Sequence, residues 1–435
     1  MVPPLQPDQI APGVAEICAK LRDAGFRGWV VGGCVRDLLM GRPVSDWDVC
    51  TTARPRQVCK LFSKVVPTGI QHGTVTVLWK GEAYEVTTLR GEGTYTDGRR
   101  PDEVFYVDEI EQDLARRDFT VNAIAYDPIE DALADPFGGL DDLRAGVIRA
   151  VGVPAERFAE DGLRILRGAR FVATLGFELD PATEAAFAGA LDTFAKVSHE
   201  RVREEWVKTM KARRPSLAFE VMRRTGILGR SCPLLAALTE HAVGERTAWD
   251  ISLGALDASR PPPMERLAAL FHGVGRPRAP ERAYAAVSAD LLAGWLRDYR
   301  FSNLERNTIM HLVRHHRLDP EMDDVGLRRF LRDAGKARAH AVLRVARAVA
   351  IGEGRDPAPF DSFKVRLEAA LLSNVPASVR ELAVDGRDVQ QAGAKGRQVG
   401  EILRTLLDEV VEAPERNDRT FLLRRIEALL AAPRP

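Results

Sequence analysis

Asp46 and Asp48 stand two residues apart in Ser45-Asp46-Trp47-Asp48-Val49, just downstream of the run Gly28-Trp29-Val30-Val31-Gly32-Gly33-Cys34-Val35-Arg36-Asp37. On a strand, residues two apart project from one face. Two carboxylates held that close are costly unless a divalent cation lies between them, and oxygen donors suit magnesium. The upstream run reads as a short buried strand, Trp29 to Val31, that ends on a glycine pair. Without Cβ atoms, Gly32 and Gly33 let a phosphate approach backbone N–H groups. A helix over Cys34 to Met40 would aim its free N–H groups at the same spot, and Arg36 would add a bidentate cationic fork. Either motif alone is matched by a strand–turn–helix with solvated acids. Together and in this order, a phosphate cradle beside a metal-binding acid pair implies nucleotidyl transfer. The sequence has no GxGxxG, and no Lys-Ser or Lys-Thr follows the glycines, so the dinucleotide and P-loop patterns are absent.

Other elements must hold these groups in place. Ile10, Val14, Ile17 and Leu21 recur at helical spacing over residues 9–25. Pro55 to Phe62 reads as a short helix with proline in its first turn. Gly73 to Trp79 and Ala83 to Leu89 alternate as a hairpin joined by Lys80-Gly81-Glu82, and His72 falls in a turn before it. Alternation puts Glu85 on the face of Ala83 and Thr87. If that strand lies beside the strand of Asp46, Glu85 becomes a third carboxylate near the metal. The stretch from Glu92 to Leu114 is polar and irregular, as a surface loop would be. Arg116-Arg117-Asp118-Phe119-Thr120-Val121-Asn122-Ala123 leads into an apolar helical pattern, with Asp118 placed to cap it. Asp135-Pro136-Phe137-Gly138-Gly139 reads as a closing turn.

Beyond about residue 150 strand signals nearly vanish. A helix opening near Pro154 would carry Asp161 and Arg164 as i,i+3 neighbours. Arg167 and Arg170 continue the same step, while Leu163, Leu166 and Phe171 take the core side. The segment from Lys196 to Arg230 is helical and basic. Its Arg213, Arg214, Arg223 and Arg224 serve either RNA phosphates or plain surface.

With 435 residues the chain is long enough for two to four domains. Its 62 basic and 62 acidic residues cancel, so a nucleic-acid partner would need its basic groups gathered on one surface. The five cysteines are scattered without metal spacing, which fits a reduced, cytoplasmic setting. No apolar run reaches membrane-spanning length, and MVPPLQPDQI is no signal peptide, so no membrane partner is expected.

The run VVGGCVRDLLMGRPVSDWDV resembles the head of a class II tRNA nucleotidyltransferase, the family of CCA-adding enzymes and bacterial poly(A) polymerases. RRDFTVNA at Arg116 to Ala123 is similar to the family's RRDFTxNA motif. EDGLRILRGAR at Glu160 to Arg170 resembles its EDxxR motif with trailing arginines. The resemblance implies an α+β fold: a nucleotidyltransferase-type head with a small sheet (1–150), then an all-α neck (151–235), body (236–350) and tail (351–435). It implies template-independent addition of C, C and A to a tRNA 3′ end from CTP and ATP, with two Mg2+ ions on Asp46 and Asp48. It assigns Arg117, Asp118 and Asn122 to the nucleotide sugar and phosphates. Asp161, Arg164, Arg167 and Arg170 become nucleotide-binding, the neck and tail grip RNA, and the loop from Glu92 to Leu114 helps the pocket change from cytosine to adenine. Addition of CC or A alone, or poly(A) synthesis, are alternatives within the family, and a non-catalytic RNA-binding scaffold is one outside it. Residues 241–318 resemble a degraded HD-type helical domain. His272-Gly273 stands where the pattern wants His-Asp, and Ser252 and Tyr284 stand where it wants histidines. His311, His315 and His316 survive, and Gly273 speaks against a phosphohydrolase.

Asp161 and Arg164 suggest how bases could be chosen without a template. Cytosine and adenine each present an amino donor beside a ring-nitrogen acceptor, and uracil and guanine the reverse. Asp161 only accepts and Arg164 only donates, so together they complement C and A.

Overall fold

Seven short strands and the helices that cover them place the residues singled out above. The computed structural model describes residues 5, 7–91, 105–373 and 375–431. By its contacts the chain divides into two compact units, Met1–Pro233 and Leu234–Pro435.

In the first unit, α1 (Pro12–Asp23) buries Val14, Ile17, Cys18 and Leu21, the face its spacing predicts. β1 (Gly28–Val31) runs under it and is followed by α2 (Gly33–Leu39). β2 (Asp48–Thr51), α3 (Pro55–Leu61), β3 (Val65–Gly69), β4 (Thr74–Trp79) and β5 (Glu82–Thr88) come next. The hairpin turn is tighter than expected. Lys80 and Gly81 alone make it, both with positive φ (51° and 93°), and Glu82 already pairs with Trp79. α4 (Ile110–Ala115) leads to β6 (Ala125–Asp127) and β7 (Ala132–Ala134), then α5 (Gly139–Ala145) and β8 (Val147–Ile148). The sheet order is β3-β4-β5-β2-β1-β6-β7. Only β2 and β5 run parallel within it, and their register sets Asp48 opposite Glu85. Trp29, Val31, Cys50, Leu89, Ile110, Leu114 and Ala123 form one buried cluster behind it.

Helices then take over: α6 (Pro154–Glu160), α7 (Leu163–Leu175), β9 (Glu178–Leu179, paired with β8), α8 (Pro181–Gly189), α9 (Leu191–Phe194), α10 (His199–Thr209), α11 (Ser216–Arg224) and α12 (Ile227–Ser231).

Four further local expectations change. Asp46 is not on a strand: it sits in the extended segment before β2, which begins only at Asp48. The run after Asp118 is a 3-10 turn (Thr120–Asn122) feeding β6, because its apolar side chains are buried on every side and form no helical stripe. Of the stretch from Glu92 to Leu114, residues 92–104 lie outside the described residues, and its end is the helix α4. The helix expected through Asp161 is broken there. Asp161 is extended (φ −147°, ψ 104°), and its carboxylate accepts the Leu163 N–H at 3.0 Å, an Asx-type turn that opens α7 afresh. Gly162 lets the backbone of residues 193 and 194 pack directly on this bend, since a Cβ there would lie 2.3 Å from the Phe194 backbone nitrogen.

The second unit is helical apart from one two-stranded ribbon among its described residues. Two of its helices, Ala248–Ala258 and Ala339–Gly352, cross at Gly254 and Gly352, where a Cβ on Gly352 would come 2.5 Å from the Ile251 carbonyl. The C-terminal helices close a separate core on Val389, Leu406, Val410 and Leu422. The HD-like positions do converge. His272 and His316 have ring centroids 5.2 Å apart, Tyr284 Oη lies 3.0 Å from His316 Nε2, and the Gly273 Cβ position is 3.7 Å from Ser252 Oγ. Arg276 sits among them, donating to Tyr284 Oη at 3.0 Å, Glu353 at 2.8 Å and Glu281 at 2.7 Å. His311 stays apart, with Nε2 2.9 Å from the Ala334 carbonyl and its ring against His315.

Candidate active site

At the end of β1 the chain turns through Gly32 (φ 75°) into α2. That backbone conformation (φ 75°, ψ −129°) is what calls for glycine, and an added Cβ would also have to displace Arg117 Nη1, 2.5 Å away. Arg36 is already well anchored. Its Nε and Nη2 donate to Asp37 at 2.9 Å, and its Nη1 donates to Asn122 Oδ1 at 2.6 Å. Asn122 Nδ2 in turn donates to Asp118 Oδ1 at 3.1 Å, and Arg167 Nε donates to Asp118 Oδ2 at 2.7 Å. One chain of hydrogen bonds thus joins α2, the RRDFTVNA segment and α7. Burial works to raise the Asp118 carboxyl, but Arg167, the Asn122 amide and Arg164 outweigh it and hold the group down at about 2.

The acids are arranged differently. Among the described residues neither Asp48 nor Glu85 has an ion-pair partner, although they stand opposite one another across β2 and β5. Burial raises the Asp48 carboxyl, the Arg117 charge offsets part of the rise, and the Glu85 and Asp46 charges add to it. Asp46 is exposed, and its Oδ2 accepts the Ser45 hydroxyl at 3.1 Å. Among the described residues no three acid, histidine or cysteine side chains gather as a ready-made metal cage. A magnesium ion asks for less: one or two carboxylates, with water and phosphate oxygens completing its shell. Mutually repelling carboxylates without a basic partner are a donor set that fits such an ion.

On the helical side, Asp161 and Arg164 do not pair with each other. Asp161 receives Arg201 bidentately, at 3.2 and 2.6 Å. Arg164 donates to the Arg157 carbonyl at 2.7 Å, to the Arg116 carbonyl at 2.9 Å and to Glu160. Arg170 donates to Glu205 at 2.5 Å, and the buried Glu205 also faces Lys208 at 3.3 Å. Burial opposes ionisation of Glu205, yet Arg170 and Arg167 lower its pKa. The Phe171 ring lies between guanidinium groups, 4.1 Å from that of Arg170, 5.4 Å from Arg167 and 5.5 Å from Arg36.

These groups share one cleft of about 640 Å³ within the first unit. Asp48, Glu85, Gly33, Arg36, Arg117, Asp118, Asn122, Asp161, Arg164, Arg167 and Arg170 all line it. Gly32 lies behind Arg117 and Asp46 at the approach to β2, and neither lines the cleft. The sequence reading missed Thr74, Thr87, Arg90, Arg116, Arg201 and Lys208, which also line it. The hairpin alternation could have found Thr87, since it shares a face with Glu85. Arg201 and Lys208 are ordinary members of a basic helix until α10 is folded against α7.

Residues 28–149 match the family model described as the poly A polymerase head domain, and residues 176–238 match one described as a probable RNA and SrmB-binding site of polymerase A. A CCA-adding enzyme of Lactobacillus delbrueckii subsp. bulgaricus is 35% identical over 93% of this chain and 95% of that protein. A CCA-adding enzyme of Listeria monocytogenes is 48% identical over 54% of this chain and 59% of that protein. The crystal structure of the Bacillus stearothermophilus CCA-adding enzyme in complex with CTP superposes with a TM-score of 0.75 at 31% identity, covering 98% of both chains.

Proposed function

The chain belongs to the family of CCA-adding enzymes, and from that membership we infer its reaction. It extends the 3′ end of tRNA by C, C and A, using CTP and ATP and no nucleic-acid template. The observation that carries the reading is the cleft itself, where acids without partners face a ring of guanidinium groups. Such a site suits a triphosphate arriving with a divalent cation.

In this reading Asp46 and Asp48 hold magnesium, with Glu85 beside Asp48 as a third acid. Bound there, magnesium supplies Lewis-acid polarisation of the transferred phosphate and acidifies the primer hydroxyl. Gly33 leaves room for the triphosphate, and Arg36 and Arg117 bind it with charge-assisted hydrogen bonds. Asp118, Asn122 and Arg167 form a fixed network against which the nucleotide sugar is oriented, and Arg170 adds charge beside Phe171. Asp161 and Arg164 read the base edge. Because each is anchored by other residues, the acceptor and the donor stand ready before the base arrives. The division into head (1–150), neck (151–235), body (236–350) and tail (351–435) belongs to the same proposal, with RNA gripped through backbone and shape by the neck and tail.

The test uses tRNA transcripts ending before C, after C and after CC, supplied with CTP, ATP or both. CTP alone should take the first two to CC, ATP should add one A only to CC ends, and both together should complete every transcript. Arrest at CC with both nucleotides present would mark a CC-only enzyme, and long A tails would mark a poly(A) polymerase.

A further inference from the structure

Asp113 lies in α4, at the end of a stretch that reads as surface loop, yet its side chain is fully buried. Its Oδ1 accepts the Arg90 N–H at 3.1 Å and Arg116 Nε and Nη2 at 3.0 and 2.9 Å. Its Oδ2 accepts Arg117 Nη2 at 3.3 Å and faces Cys50 Sγ at 3.8 Å. One carboxylate therefore ties the end of β5, the middle of β2 and two cleft arginines to α4. Burial alone would neutralise it, but Arg116, Arg117 and the Arg90 N–H hold its pKa below the ordinary value.

The consequence lies with Arg117. Its Nη1 donates to the Asn122 carbonyl at 3.3 Å, while its Nε is buried with no hydrogen-bond partner among the described residues. The carboxylates whose charges act most on this guanidinium are Asp113 and Asp48. With Asp113 ionised, Arg117 pairs with it and makes no ion pair with Asp48 among the described residues. Without that charge, a half-buried guanidinium has Asp48 as its remaining counter-ion, and the pair would compete with a divalent cation for the same oxygens.

We propose that Asp113 is a positioning residue for nucleotide and metal binding: it anchors Arg117 facing the cleft and keeps it off Asp48. This rests on the assignment of Asp48 to the metal. Asp113→Asn keeps the size and an acceptor for the Arg90 N–H but removes the charge. It should raise the KM for CTP and ATP about tenfold, as expected for losing one charge-assisted anchor, and raise the Mg2+ concentration for half-maximal rate about fivefold. The KM for tRNA should stay as in the wild type. If the single variant does not fold, Asp113→Asn/Arg117→Met removes both buried charges together. Compared with Arg117→Met alone, the double variant should show no further rise in Mg2+ requirement, because the effect passes through Arg117. A purely structural Asp113 would instead lower the thermal midpoint and the active fraction while leaving the nucleotide KM and Mg2+ dependence unchanged, and that result overturns the inference. So does a further Mg2+ shift in the Arg117→Met background. An active Asp48→Asn enzyme would instead remove the reading underneath.

Discussion

Two polar clusters, one in each unit, use similar residue types to opposite ends: the first opens to solvent at Asp48 and Glu85, and the second is buried. In the first unit, Asp48 and Glu85 have no ion-pair partner among the described residues, while the arginines around them are each fixed by another carboxylate or carbonyl. In the second, Arg276 is bonded to Glu281, Glu353 and Tyr284, so the charges close on themselves. The histidines there are neutral. Each Nδ1 meets a backbone carbonyl, at 2.7 Å for His272 and 2.6 Å for His316, so each Nδ1 carries the hydrogen and each Nε2 is an acceptor. Tyr284 donates to His316, while His272 Nε2, Ser252 Oγ and Arg276 Nε are buried without a partner among the described residues. A cation approaching this cluster would meet a guanidinium where it needs a carboxylate. The difference teaches that an active cleft is recognised by charge left unsatisfied at one spot and over-anchored around it. Convergence of histidines is not enough.

That contrast can be broken most directly at the acids. Asp48→Asn and Asp46→Asn should each reduce nucleotide incorporation by about a thousandfold or more, since a carboxamide neither carries the charge nor binds magnesium comparably. Filter binding should show tRNA affinity kept within about twofold, since the proposed grip on RNA is by basic groups of the neck and tail. Substantial incorporation by both variants would place the chemistry outside this cleft.

A smaller effect sharpens the contrast inside the cleft. Asp161→Ala and Arg164→Ala should cut discrimination against UTP and GTP by about a hundredfold, besides slowing the reaction, because an unpaired polar edge costs a few kcal/mol. Arg36→Ala, which touches no base in this reading, should slow all four nucleotides alike. Competition assays among the four triphosphates decide it: an unchanged preference in the Asp161 and Arg164 variants would refute base reading by this pair.

The smallest effect on catalysis belongs to the second unit. His272→Ala should leave incorporation within about twofold of wild type, and the wild type should not hydrolyse 2′,3′-cyclic phosphates or phosphomonoesters with any divalent metal. Robust phosphatase activity lost in His272→Ala would show that the cluster is a working site. Acid should expose it in another way. Burial lowers His272 to about 4 and His316 to about 3, so below the unfolded value near 6.5 the unfolded chain takes up protons that the folded one does not. Their contribution to stability is whole above that pH and is lost as pH falls toward the folded values. Urea unfolding should show a loss of about 1–2 kcal/mol per histidine between pH 7 and pH 5, reduced in His272→Asn.

Much of the site was legible because its signals are local. Gly33, Asp48 and the trailing arginines, all of which line the candidate cleft, come from fixed spacings, and Glu85 followed from strand alternation once β5 was set beside β2, whereas Gly32 and Asp46 of the same motifs fall outside its lining. The approach of Arg117 to Gly32 was not legible, because that arginine arrives from far along the chain. Nor was Asp113, one acid among several in a polar stretch, whose burial depends on β2 and β5 closing over α4. The helix through Asp161 failed for another reason. Its apolar spacing is continuous across Gly162, while the break is made by the extended backbone of Asp161 and its side-chain bond to the Leu163 N–H, which no periodicity reports.

That contact at Gly162 reaches beyond geometry into how the enzyme can change over generations. Every amino acid one nucleotide away from a glycine codon carries a Cβ, and any Cβ here meets the Phe194 nitrogen at 2.3 Å. Such a change must either push α9 away or straighten the bend that presents Asp161. Position 162 therefore has no amino-acid replacement that leaves the contact intact, and so no small steps from which a new base preference could be explored. If Asp161 reads the base as proposed, the choice of nucleotide depends on a residue with no side chain to touch one, and because the atoms in the way belong to the backbone of residues 193 and 194, no substitution at those positions alone would make room.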